Sequence, residues 1–152
     1  MEPPPTQTAQ SRQDCQPLAL AERIGILGVG MMLAGLLGVA AFLHPESSGV
    51  GTHMQLGLPG CTSYTLLGIR CPGCGMTTSW AHTMDGDLVS GLQANVGGVL
   101  LCLLAIMMTP CFLWIGSCGD CRAWSVASRA CLSVLITAFG ISVIEWLGRL
   151  LI

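Results

Sequence analysis

The sequence predicts an all-α integral membrane protein, with three transmembrane helices and a short interfacial helix following a cysteine-rich loop. Three observations carry that expectation. Only 9% of the 152 residues are charged, where soluble domains average about a quarter. Mean hydropathy is +0.69. Two stretches, 24–43 and 96–115, each run 20 residues without a charge, long enough to cross a hydrocarbon core of about 30 Å.

The elements follow in order. Residues 1–23 are polar and proline-rich without apolar periodicity, which predicts a disordered tail holding Cys15. Residues 24–152 are read as one membrane domain. The first span, 24–43, carries Gly30, Ala34 and Gly38 at intervals of four, a small-residue seam suited to a helix–helix partner. Pro45 and the following glycines end it. Residues 44–75 form the cysteine-rich loop, with His44, His53, Cys61, Arg70, Cys71 and Cys74 among glycines and prolines.

Short interfacial helices are expected over 77–94. Thr77, Thr78 and Ser79 offer caps, and Met76, Trp80 and Met84 form a stripe at the depth that suits tryptophan. Gly86 stops the first helix and Asp87 caps the second, with Leu88 and Leu92 as its apolar face. The second span is 96–115, with Pro110 near its end. A polar connection over 116–129 holds Cys118 and Cys121, and a third span follows at about 130–150. Glu145 and Arg149 stand in the i, i+4 order that favours an ion pair.

Charge fixes the expected orientation and excludes some functions. Lysine is absent, all six cations are arginines and the net charge is −2, so no basic surface for nucleic acid is present. With the N-terminus inside, Arg12, Arg23, Arg122 and Arg129 are cytoplasmic, against Arg70 and Arg149 outside. That is the bias of the positive-inside rule. No phosphate loop, paired carboxylates or nucleophile–base arrangement is legible, and no small-molecule substrate is evident. The lipid bilayer is the one partner the composition demands.

The chemistry concentrates in Cys71-Pro72-Gly73-Cys74-Gly75-Met76-Thr77-Thr78. Two cysteines three residues apart can share a metal, and the glycine after them permits a tight turn. Cys61, Cys71, Cys74 and His53 together make a Cys3His set suited to zinc. His82 lies one turn downstream and reads more simply as a hydrogen-bonded residue. Two other readings stay open: a membrane thiol–disulfide oxidoreductase using Cys71 and Cys74, and a conformational turn with unreactive thiols. Thioredoxin-like enzymes place such a pair in a βαβ context, which is absent here. Cys118 and Cys121 do not join the set, because a membrane helix intervenes. Cys102, Cys111 and Cys131 sit in apolar helices and read as packing residues.

The Cys71–Thr77 run, with Cys61 ten residues upstream and Gly86-Asp87 before the next helix, resembles the DUF2752 family of small bacterial membrane proteins. The resemblance covers about residues 50–115 and implies a bacterial cytoplasmic membrane. Many members carry arginine where this chain has Thr78, and Asn-Pro where it has Asn95-Val96. A role tied to that arginine is not implied here. The family has no established biochemical activity, so the resemblance implies an uncharacterised membrane protein, and the expectation of a non-enzymatic role rests on the missing catalytic motifs.

Overall fold

The computed structural model describes residues 18–46, 48–68 and 71–151. Among the described residues six α-helices follow one another: α1 Leu20–Phe42, α2 Thr62–Leu67, α3 Met76–Met84, α4 Leu88–Ala94, α5 Val96–Cys118 and α6 Cys121–Leu151. A 3-10 turn, Thr52–Leu56, lies between the first two. No strand occurs among the described residues. Three helices are long and apolar enough to span a bilayer. The protein is an all-α integral membrane protein.

Helix α5 is the centre, and α1, α3, α4 and α6 all pack on it. Glycine makes two of these contacts possible. A Cβ on Gly97 would overlap the Ser142 hydroxyl of α6 and stand 2.9 Å from the Ala138 carbonyl oxygen. A Cβ on the adjacent Gly98 would overlap Ser79 of α3. Two neighbouring glycines thus admit a helix on each side of α5. Gly30 of the predicted seam is buried against Leu113 of α5, whereas a Cβ on Gly38 would meet nothing within 4 Å.

One end of the bundle joins the start of α1 to the turn between α5 and α6. Ile26, Phe112 and Ile115 form its core, and Trp124 packs on Phe112 with ring centroids 5.8 Å apart. Arg23 donates through Nε to the Gly116 carbonyl at 3.0 Å and through Nη2 to the Ser117 carbonyl. A cation there satisfies end-of-helix acceptors and complements the helix dipole.

Several boundaries differ from the sequence expectation. Helix α1 begins at Leu20, because Glu22 reaches back to accept the Ala19 N–H at 2.9 Å. Residues 20–23 are therefore helical, and the rest of the expected tail, 1–17, lies outside the described residues. The connection expected over 116–129 shrinks to Gly119 and Asp120. Gly119 adopts a left-handed φ of 74°, and Asp120 Oδ1 accepts the Arg122 and Ala123 N–H groups at 2.9 and 3.1 Å. Polarity after Asp120 does not break α6. Ser125, Arg129, Ser133 and Thr137 all donate to carbonyls three or four residues back within the helix.

Helix α3 starts at Met76, directly after the cysteine turn, and its N-cap is Gly75 instead of one of the hydroxyl residues. Its buried face is Thr78, Ser79, Ala81 and Thr83, all small or hydroxyl-bearing. Ser79 donates to the Met76 carbonyl and Thr83 to that of Ser79, each at 2.7 Å, so burial leaves these hydroxyls satisfied. Asp87 caps α4 by accepting the Ser90 N–H at 3.1 Å. That helix buries Gly91 and Ala94, while Leu88 and Leu92 are exposed.

Candidate metal centre

The end of the bundle away from the N-terminus of α1 carries the cysteines. Cys71 to Cys74 is a tight turn, closed by the Cys74 N–H donating to the Cys71 carbonyl at 3.0 Å. Gly75 follows with a φ of 85°, a left-handed conformation that glycine adopts without strain. A Cβ there would stand 2.6 Å from the Ala94 oxygen and 2.8 Å from the Gly49 oxygen. Three backbone segments therefore converge on this residue.

Asn95 ties the turn to the membrane helix. It is 4% exposed. Its Oδ1 accepts the Gly98 N–H at 2.8 Å, which caps α5. Its Nδ2 donates to the carbonyls of Pro72 and Cys74 at 3.1 and 3.2 Å. From α6, Glu145 Oε2 accepts the Val96 N–H at 3.3 Å. The loop before the knot is held by Thr52 and Thr78, whose buried hydroxyls meet at 2.8 Å.

These supports gather three thiols. Cys71 Sγ lies 3.6 Å from Cys61 Sγ and 3.4 Å from Cys74 Sγ, and all three lie within 4.8 Å of one another. A disulfide would hold two sulfurs at about 2.05 Å. Two thiolates at tetrahedral angles about a zinc, each about 2.3 Å from it, stand roughly 3.8 Å apart. The observed spacing is longer than a disulfide and close enough for the three thiols to share one ion.

Two of the thiols are electrostatically unlike. Backbone hydrogen bonding from Tyr64, then the Cys74 and Cys71 thiols, pull the Cys61 thiol down to about 7. Burial, then the Cys61 and Cys71 thiols, push Cys74 up to about 12. One cysteine is thus ready as a thiolate, and another needs a cation to become one. Above the thiols opens a cavity of about 560 Å³, whose wall includes His53, Met54, Tyr64 and Thr77.

Of the residues singled out in the sequence, Cys61, Cys71 and Cys74 come together. His53 lies on the wall of the same cavity but outside that close group of donors, with Nε2 3.2 Å from the Pro59 carbonyl oxygen. His82 pairs with Asp87, Nδ1 to Oδ2 3.7 Å. Cys118 sits at the far end of α5, 23 residues or about 35 Å along the helix from the knot. It contributes nothing to the centre. The Arg149 side chain expected beside Glu145 lies outside the described ones. Asn95, Thr52, Gly97 and Glu145 were not read as parts of the site. For Asn95 a signal existed, since asparagine directly before an apolar run is a strong N-cap.

Residues 61–109 match the model of a protein of unknown function, DUF2752. The matched segment is similar to that family and takes in all three thiols, helices α2 to α4, Asn95 and the first part of α5. It leaves out His53, α1 and α6. Neither a curated protein nor a solved structure matches the chain.

Proposed function

We propose that the protein is a non-enzymatic membrane component whose loop is clamped by a zinc ion. Cys61, Cys71 and Cys74 supply three thiolates. The observation that carries this reading is their mutual approach within 4.8 Å, at separations too long for a disulfide. His53 is the fourth donor. Its Nε2 stands at the Pro59 carbonyl, the partner a ligating imidazole takes through the nitrogen that does not bind metal. That leaves Nδ1 for the ion. The clamp would fix the turn that Asn95 joins to α5, so ion binding and bundle stability are coupled.

The proposed setting is a bacterial cytoplasmic membrane, with the N-terminus inside and the knot on the outer face. Arginine placement and the knot's position at the end opposite the start of α1 support this. A membrane-impermeant maleimide should then label Cys71 from outside and Cys118 only after permeabilisation. The reverse pattern inverts the orientation.

Thiol–disulfide exchange is the second reading, favoured by the 3.4 Å between Cys71 and Cys74. Cys74 weakens it, since its thiol is buried and pushed up to about 12. Metal analysis of the purified protein under reducing conditions separates the two. One zinc per chain, lost in Cys71→Ser and Cys74→Ser, supports the clamp. No bound metal, together with turnover of thiol substrates, supports exchange.

A further inference from the structure

The cavity over the thiols holds a second kind of donor. Met54 directly follows His53 in the 3-10 turn and lines the same cavity. Its thioether packs on two glycines. A Cβ on Gly51 would stand 3.6 Å from Met54 Sδ, and one on Gly60 would stand 3.9 Å from it. Gly60 immediately precedes Cys61, so the thioether lies against the backbone that carries the first thiol.

Nitrogen and thioether donors discriminate between ions. Zinc takes thiolate, imidazole and carboxylate, and its structural sites are four-coordinate. A soft monovalent ion takes thiolate and thioether together. His53 and Met54, neighbours in one turn, both line the cavity that the three thiols line.

We infer that the three-cysteine centre also binds Cu(I), with the Met54 thioether as its added ligand. This rests on the proposal that the three thiols hold a metal. The site then exchanges ions and does not serve zinc alone. Cu(I) bound through Met54 releases His53, and the 3-10 turn reports which ion is present.

The test uses the full chain in detergent micelles under anaerobic, reducing conditions. Cu(I) is titrated against bicinchoninate, and Zn(II) separately against a chromophoric chelator. Wild-type protein should bind one Cu(I). Met54→Leu should weaken Cu(I) by about tenfold or more while leaving Zn(II) within about twofold. His53→Gln should do the converse. Unchanged Cu(I) affinity in Met54→Leu overturns the inference while leaving the zinc reading intact. Equal losses for both ions in Met54→Leu also overturn it, since the substitution then acts on the fold. Failure of wild-type protein to bind either ion removes the metal reading itself, and this inference with it.

Discussion

Asn95→Asp isolates the link between the cysteine turn and the membrane helix. Asparagine performs two tasks there, and aspartate can perform only one. Its carboxylate still accepts the Gly98 N–H and caps α5. It cannot donate to the Pro72 and Cys74 carbonyls, which Asn95 reaches at 3.1 and 3.2 Å. The buried Cys74 acceptor costs about 1–2 kcal/mol when it loses its donor and the part-buried Pro72 acceptor costs less, so the turn loosens by about 2 kcal/mol. A local opening that becomes easier by about 2 kcal/mol is populated roughly 30-fold more. Cys74 is the reporter, because it is 8% exposed and reacts only when the turn opens. In metal-free, reduced protein, maleimide labelling of Cys74 should accelerate by about 30-fold or more in Asn95→Asp. Asn95→Ala loses the cap as well and should exceed it. Equal labelling rates in Asn95→Asp and wild type would refute the idea that this side chain holds the knot.

Three further outcomes follow from the geometry. Gly97→Ala drives a methyl group into Ser142 and against the Ala138 backbone, and should destabilise the bundle in mixed-micelle unfolding by about 1–3 kcal/mol. Gly140→Ala, where a Cβ meets nothing within 4 Å, is the matched control and should be tolerated. Hydrogen bonds from the Ser90 hydroxyl and amide hold the Asp87 carboxyl below its ordinary value. Its folded value is the lower one, so its stabilisation is complete above the unfolded carboxylate value of about 3.9 and fades as pH falls below it. The stability difference between wild type and Asp87→Asn should therefore shrink between pH 7 and pH 3. Finally, iodoacetamide should modify Cys61 first, with a rate that climbs through pH of about 7, and Cys74 last. Equal rates for the two would contradict their assigned environments.

The three spans were legible because hydrophobic length is a local property, read directly from runs such as 24–43 and 96–115. The boundaries were less so. Polar residues after Asp120 resemble a loop until their bonds to the helix's own carbonyls are seen. Helix α3 misled for a related reason. Its Met76, Trp80 and Met84 stripe, read as suiting the membrane interface, is half-buried, and the fully buried side is hydroxyl-bearing. That choice is made by Gly98 and Gly91, which admit Ser79 and Thr83 closely and lie on other helices. At the site, spacing alone brought out Cys71 and Cys74. Cys61 was expected in the set from its place in the same loop, but its approach depends on the fold of the nine intervening residues. The Asn95 tie spans 21 and 23 residues, and the Glu145 contact with Val96 spans 49, so no local pattern announces them.

X-ray absorption at the zinc edge, on protein purified with zinc under reducing conditions, bears most directly on the clamp. The account predicts one zinc per chain, with three sulfur neighbours at about 2.3 Å and one nitrogen at about 2.0–2.1 Å. Cys71→Ser should lose the ion or one of those sulfurs. A wild-type chain that binds no zinc, or binds it through nitrogen and oxygen alone, would contradict the account.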